Sequence, residues 1–540
     1  MATEQANNAD MGPEKGSIRS LPRRQVMITL AGVMLAMFLS SLDQTIVGTA
    51  MPKIIVSLGG FTQYTWVSTA YIITSTVAIP ITGKLTDMYG RKWFYIAGIV
   101  IFVVGSILCG VSQTMTQLIF SRGFQGIGAG IMMANAFTVI GDIFPPAERG
   151  RYQGLMTATF GVSSVVGPTI GGYITDNLSW HWVFFVNIPL GVLIIALFVL
   201  FFPHLRPDIL KHKIDYAGIT TLILGVVTLL LAISWGDVEY PWDSVQIIGM
   251  FAFSAVMIVV FTVVESRAKE PIIPLWIFRD RIVAVSIFIG FIIGFCMFGG
   301  IMFIPLFFQG VMGLSATASG NFLTPMMMGI VLGAIVSGQM LVLAGGHYRI
   351  QGVVGLAIMA LGLFLLSRMS VETSYATAVT DIVIAGIGIG ITMPLYTLAV
   401  QNAVPYSVLG TATSATAFFR SIGSALGLAI FGSVMNNRFA SDFVAGIPAQ
   451  VTSIIPAGRL DALAHNPQAL LSADAQATLR SLFEHMGPQG AAYFDQVFHT
   501  LRLALASAVT QVFLIALIFA GIAWVANLFL REIPLRKRYV

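Results

Sequence analysis

Apolar segments of about 20 residues recur along this 540-residue chain, separated by short polar stretches. A helical segment of that length and composition matches the hydrocarbon core of a lipid bilayer. The pattern predicts fourteen membrane-spanning helices, an even number that places both termini on one side. Their approximate centres are Ala36, Ile73, Phe102, Met132, Val162, Ile194, Leu224, Val256, Ile292, Gly329, Ala357, Ile387, Ala425 and Leu517.

The low content of charged residues supports this interpretation. Charged residues make up 10% of the chain and hydrophobic residues 56%, whereas a soluble protein carries about 25% charged residues. Two cysteines are too few for a disulfide framework or a metal cluster, and the seven histidines lack metal-ligand spacing. We therefore predict an all-α membrane protein without a metal site.

Positive charges are distributed unevenly between the two sides of the predicted helices. Of 29 lysine and arginine residues, 21 fall on the side of both termini, whereas the short loops opposite hold only Lys53 and Arg368. Short cytoplasmic loops carry such an excess. The termini are therefore expected in the cytoplasm, and the net charge of +5 reflects orientation in the membrane rather than binding to nucleic acid.

The predicted helices divide into two groups of six with a pair between them, and repeated halves are a common plan of transporters.

A long outer segment, 436–500, lies before the last predicted helix, and residues 479–486 within it have amphipathic helical spacing. That segment is either a cap on the outer membrane surface or a functional lid or docking element. The predicted units are a cytoplasmic tail (1–25), a six-helix bundle (26–204), inserted helices 7 and 8 (205–280), a second six-helix bundle (281–532, including the outer segment 436–500) and a second cytoplasmic tail (533–540).

Two charged residues fall inside apolar segments of the first half. Asp43 lies in the outer half of predicted helix 1, and Arg122 lies at a similar depth in helix 4. Burial disfavours an ionised carboxylate and a nearby cation favours it, so Asp43 can be poised to take up and release a proton. Two alternative interpretations of Asp43 are an acid at the water interface and an acid neutralised permanently by an arginine.

The second half contains two similar charged residues inside apolar segments. Asp381 in helix 12 is a second candidate proton site. Arg420 in helix 13 either binds an anionic group or pairs with an acid.

The fifth helix contains an unusual run of helix-weakening residues. Proline bends a helix and glycine permits close packing, so a kink with a gating role is a hypothesis for helix 5. Its residues are Gly161, Gly167, Pro168, Gly171 and Gly172.

Several catalytic motifs are absent from the sequence. It contains no G-x-x-x-x-G-K-[ST], no H-E-x-x-H and no G-x-S-x-G, so ATP hydrolysis at a P-loop and the corresponding enzyme chemistries are not expected. We predict that the protein is not an enzyme and needs no cofactor, and that any driven process uses an ion gradient.

Four motifs together resemble the major facilitator superfamily, specifically its fourteen-helix drug:proton antiporters. The ten residues 83–92 carry four charges between two apolar runs and match the superfamily's loop between helices 2 and 3. Residues 118–128 match its helix 4 motif, 161–172 its antiporter motif in helix 5, and 42–52 its helix 1 motif. Gly48 departs from the helix 1 motif, which usually has asparagine there.

The resemblance implies roles for these residues. Asp43 would couple transport to protons, with Arg122 tuning it and Asp381 as a second candidate. A latch of the outward-open state would join the inner helix ends, and we expect three further residues to line the substrate cavity. The latch residues are Gly83, Asp87, Gly90, Arg91 and Asp142, and the cavity candidates are Arg420, Gln44 and Trp66.

The implied function is proton-coupled export of hydrophobic or cationic drugs by a monomer in the bacterial inner or plasma membrane, with membrane lipids around it. Three alternatives stay open. They are an exporter of lipids or glycolipids on the same scaffold, a metabolite carrier, and a channel, which would conduct without competition between substrates.

Overall fold

The computed structural model is built of helices. The described residues are 22–58, 63–203, 213–313, 316–343, 346–447, 480–481, 483 and 490–535. Within these ranges lie fourteen helices of 20 residues or more, and α6 is interrupted only at Val186. They are α1 (Arg23–Leu58), α2 (Tyr64–Tyr89), α3 (Arg91–Gly110), α4 (Met115–Ile143), α5 (Pro146–Asn177), α6 (Trp182–Phe201), α7 (Tyr216–Trp235), α8 (Val245–Arg267), α9 (Arg281–Gly310), α10 (Ala316–Leu343), α11 (Tyr348–Ser367), α12 (Tyr375–Ala403), α13 (Leu409–Gly446) and α14 (Gly490–Leu528).

Eleven of these helices are long and apolar enough to cross a membrane, all except α2, α5 and α9. In α9 the described apolar stretch, Arg281–Met297, is shorter. In α2 and α5, threonine, serine and glycine dilute the apolar residues. The chain is therefore a multi-pass helical membrane protein.

Short polar side chains define where several helices begin. The side chains of Thr114, Asp215, Ser244, Asp280 and Ser374 each accept a hydrogen bond from a backbone N–H in the first turn of the helix that follows. The first N–H groups of a helix have no partner within the helix, so such caps stabilise its start.

The turn between α2 and α3 depends on one glycine. Gly90 has a φ of 88°, a conformation that costs little only without a β-carbon. The turn is a single residue long, so the last turn of α2 lies directly beside the first turn of α3. This brings Asp87 within reach of Arg91.

Two helix pairs make the most extensive contacts between the amino-terminal and carboxy-terminal parts of the fold, α2 with α13 and α5 with α10. Both rely on glycines that let backbones approach closely. Gly83 of α2 abuts Ser414, and Gly154 of α5 abuts the backbone at Ala334. We call the side on which α1 begins and α14 ends the inner side, and the opposite side the outer side. The contact between α5 and α10 runs from Gly150 at the inner end to Gly161 in the middle of α5.

The longest helices, α13 and α14, pack on each other through their outer ends. Phe439, Phe443, Val497 and Leu501 are buried there. Of the predicted amphipathic helix 479–486, most lies outside the described residues. Phe483 is described and is buried against α14.

Candidate functional site

Asp43 lies in α1, about 30 Å along the helix from its start, and its side chain is completely buried. Three donors on other helices converge on its carboxylate. Arg122 donates to Oδ2 at 2.5 Å, while Gln125 and Asn187 donate to Oδ1 at 2.9 and 2.8 Å. A buried carboxylate bound in this way has its charge compensated by one guanidinium and two amides.

Further contacts hold these donors in place. Gln125 and Asn187 also donate to the Ser106 hydroxyl, at 2.7 and 3.2 Å. The Arg122 guanidinium lies 4.3 Å from the centre of the Tyr71 ring. All five side chains are buried, so the network forms one polar island joining α1, α2, α3, α4 and α6.

The exposed surface of the protein comes close to this island on one side of α1. Gln44, the residue after Asp43, is exposed, and so are Gly48 and Thr49 one turn further outward. A single helical turn therefore separates a fully buried carboxylate from the exposed surface.

The predicted glycine run in α5 packs on the same stretch of α1. Gly167 abuts the hydroxyl of Thr45, and Gly171 abuts that of Thr49, whereas Gly161 faces Val331 of α10. Nothing lies within 4 Å of where a Gly172 side chain would begin. Pro168 lies inside α5, which is continuous through it.

The neighbouring glycines of α5 form a matched pair for mutation. We expect Gly171→Val to lose transport and to lower thermal stability, because its side chain would meet the Ile46 carbonyl oxygen 3.1 Å from its first carbon; overpacking costs about 1–3 kcal/mol. Gly172→Val should leave both close to wild type. Thermal unfolding and transport by the two purified variants test this, and equal effects of both would contradict the packing role.

At the inner end, Asp87 joins α2 to α13. Its carboxylate accepts hydrogen bonds from the backbone N–H groups of Gly410 and Thr411 at 3.0 and 2.7 Å, and from the Thr411 hydroxyl at 2.8 Å. A carboxylate at a helix amino terminus is stabilised by the N–H groups and by the helix dipole. This contact ties the first half of the chain to the second.

Arg91 connects Asp87 to a second acid. It bonds Asp87 at 2.7 Å and also forms an ion pair with Asp142 at the end of α4. All three side chains are at most 6% exposed. The arrangement is a buried charge triad at the inner end of four helices.

A second network at the inner side was not predicted from the sequence. Gln401 of α12 accepts a hydrogen bond from Gln153 of α5 at 2.9 Å and donates to the Phe137 carbonyl of α4 at 3.1 Å. Arg149 donates to the same Gln401 oxygen at 3.4 Å. These amides bridge the two halves, and isolated glutamines in apolar segments give no spacing signal that would have identified them.

Of the remaining candidates, Trp66 and Asp381 lie apart from these networks, whereas Gln44 lies beside the network around Asp43. Trp66 packs edge-on against Trp235 of α7, with ring centroids 5.6 Å apart, and Gln44 interacts with Tyr71. Asp381 is buried on the face of α12 that meets α11, since Ala385 and Gly388, one and two turns later, pack there. The structure does not bring Asp381 to Asp43.

The described residues contain no group of three or more histidine, cysteine or acidic side chains that could hold a metal ion.

The sequence analysis did not identify four members of the network around Asp43. They are Gln125, Asn187, Ser106 and Tyr71. Only Gln125 had a usable signal, because it follows Arg122 by one helical turn.

Comparisons with known proteins cover almost the whole chain. Residues 33–428 match the family model described as Major Facilitator Superfamily. The chain is 41% identical to "Multidrug transporter protein MdtP" of Bacillus subtilis (strain 168), over 96% of this chain and 94% of that protein. It is 38% identical to "Multidrug resistance protein 3" of the same organism, over 92% and 94% respectively.

The solved structure of the human organic anion transporter MFSD10 (TETRAN) matches with a TM-score of 0.59. The match covers 93% of this chain and 100% of that one, at 12% identity. At that identity the likeness shows the shared fold alone.

Proposed function

We propose that this chain, which belongs to the Major Facilitator Superfamily, exports small hydrophobic compounds, cationic ones among them, in exchange for protons. The observation that carries the proposal is the buried carboxylate of Asp43, held by Arg122 one helical turn from the exposed surface of α1. The names of the two relatives, a multidrug transporter and a multidrug resistance protein, support drugs as the substrates.

We further propose the fourteen-helix architecture for this exporter. α1 to α6 and α9 to α14 would form the two six-helix bundles, with α7 and α8 inserted between them. The excess of basic residues on one side supports cytoplasmic termini, and the bacterial relatives support the inner or plasma membrane. The protein would act as a monomer that needs only the proton gradient.

The inner contacts support an outward-open state for this conformation. Asp87 binds α13, and Gln153 binds Gln401, both between the halves at the inner side. On the outer side, Gln44 beside the coupling acid is exposed. Protons from outside would reach Asp43 along this surface.

Protonation of Asp43 would remove the negative charge that Arg122 balances. The freed guanidinium would favour a different arrangement of α1 and α4, releasing substrate outward and allowing the inner contacts to open. Substrate and proton can exchange only if each binds the two conformations with different affinity. A buried ion pair broken on one side costs about 3–5 kcal/mol, enough to supply that difference.

Proton flux across a membrane tests this function. Purified protein in proteoliposomes with a pH-sensitive dye inside is exposed to tetraphenylphosphonium, ethidium and fluorescent phospholipid analogues. We expect the lipophilic cations to drive proton movement that saturates with substrate concentration. Empty liposomes and a variant that lacks the inner triad arginine, Arg91→Ala, are the controls.

Other outcomes of the same assay separate the alternatives. Phospholipid movement without drug-induced proton flux would contradict drug antiport and favour a lipid exporter. Conductance without competition between substrates would indicate a channel instead. Absence of proton flux with every probe would overturn the proposed function.

A further inference from the structure

Arg420 is a charged side chain in the middle of α13 for which the proposed coupling scheme has no use. It lies 11 residues after Leu409, the start of the helix, so about 16 Å from the inner end, and it is half-buried. Among the residues that the structure describes, none forms an ion pair or a side-chain hydrogen bond with its guanidinium. An arginine within a membrane span normally has a partner or faces water.

The polar groups nearest to Arg420 along α13 are occupied by the helix itself. The Thr416 hydroxyl donates to the Ala412 carbonyl, and the Ser424 hydroxyl donates to the Arg420 carbonyl, both at 3.0 Å. Asp381 lies on the face of α12 that meets α11. None of these groups neutralises the guanidinium.

The position of Arg420 on its helix shows where it faces. Thr413 lies two helical turns earlier, and residues seven apart lie on one face of a helix. The Thr413 hydroxyl accepts a hydrogen bond from Gln401 at 3.1 Å, and Gln401 bridges to α4 and α5 between the two halves. Arg420 therefore lies on the central face of α13, about 10 Å outward of the closed inner contacts.

The neighbouring helix α9 packs closely on the base of this arginine. Gly294 of α9 lies against Arg420, and a β-carbon at position 294 would overlap the Arg420 carbonyl and lie 3.0 Å from its Cγ. The absence of a side chain at Gly294 allows this close packing, so the Arg420 side chain starts beside the α9 backbone.

We infer that Arg420 binds the anionic group of the exported compound, so that the protein takes amphiphiles with a carboxylate, sulfonate or phosphate. A guanidinium presents a planar fork of donors that matches these oxyanions. A cationic group on the same molecule remains compatible, because the anionic group alone contacts Arg420. This inference rests on the proposed function, and it narrows the substrate class at the same site.

Two probes that differ by one anionic group test the inference. 1-Anilinonaphthalene-8-sulfonate and its parent N-phenyl-1-naphthylamine are titrated calorimetrically into the protein in lipid nanodiscs, with empty nanodiscs subtracted. We expect Arg420→Gln to raise the Kd of the sulfonate about tenfold or more, since a charge-assisted bond contributes about 1.5–3 kcal/mol. The Kd of the neutral parent should change less than twofold.

Two further variants keep the inference open to refutation. Arg420→Lys retains the charge without the fork and should fall between wild type and Arg420→Gln, while Arg368→Gln at the exposed outer end of α11 should match wild type. Equal losses for both probes, or an unchanged sulfonate Kd in Arg420→Gln, would overturn the inference.

Failure of the inference and failure of the proposed function look different. If tetraphenylphosphonium drives proton flux in wild type but the sulfonate does not bind, the antiport function stands and the inference about Arg420 is wrong. If the sulfonate binds through Arg420 but no probe drives proton flux, anion binding stands and the antiport function is wrong.

Discussion

Replacing Asp43 by asparagine is expected to abolish proton-driven export while substrate binding persists. Asparagine has nearly the same shape as aspartate but cannot exchange a proton, so substrate binding would no longer be linked to protonation of α1. We expect coupled transport in proteoliposomes with an imposed pH gradient to fall by about two orders of magnitude or more, as 3–5 kcal/mol of coupling implies.

The stability of this variant requires its own control. Asp43→Asn leaves the Arg122 guanidinium, which is 2% exposed, without its counter-charge, and this can lower thermal stability. The double variant Asp43→Asn, Arg122→Gln removes both charges, so it should fold like wild type and still fail to couple. Asp176→Asn changes an exposed acid that pairs with Lys53 at 3.0 Å and should transport normally.

Undiminished gradient-driven export by a folded Asp43→Asn protein would remove Asp43 from the mechanism. The same result in the double variant would exclude Arg122 as well. In that event another acid, with Asp381 as the remaining candidate, would have to carry the proton.

Replacing Arg91 by alanine is expected to have the second largest effect. Arg91 bridges Asp87 and Asp142, and the Asp142 side chain is 1% exposed. Loss of the Arg91 guanidinium would therefore leave a buried carboxylate without a counter-charge. Such a loss costs about 3–5 kcal/mol. The inner contacts would open, shifting the population away from the closed inner side, and transport should fall at least tenfold.

Substrate affinity distinguishes a latch from a binding residue. Because Arg91 lies at the inner helix ends, substrate Kd should change little, while spin labels on the inner ends of α2 and α13 should report a longer distance. Arg267→Ala, at the exposed inner end of α8, serves as the control. A large loss of binding with an unchanged distance would contradict the latch.

The all-helical, multi-pass architecture follows from the sequence because long apolar runs have few stable alternatives in a membrane. Helix starts at Asp215 and Asp280 and the turn at Gly90 follow from local chemistry. Contacts between helices do not follow from the local sequence. The sequence placed Asp43 and Arg122 at similar depth, but their 2.5 Å contact depends on how α1 packs on α4.

The polar network around Asp43 shows why the hydrogen-bond partners of the site could not be predicted from the sequence. Asn187 and Ser106 lie in other helices from Asp43, and single polar residues in apolar runs carry no periodic pattern. The link between Gln153 and Gln401 spans 248 positions, so only the tertiary packing reveals it. Asp381, like Asp43, is an acid inside an apolar segment, yet its face of α12 meets α11.

Infrared difference spectroscopy of the Asp43 carboxyl group tests the central claim most directly. The protein in lipid is titrated between pH 5 and pH 9, with and without tetraphenylphosphonium, as wild type and as Asp43→Asn. We expect a protonated-carboxyl band in wild type that grows as pH falls, shrinks when the compound binds and is missing from the variant. A band that is absent from wild type throughout this range, or that persists in Asp43→Asn, would contradict coupling through this residue.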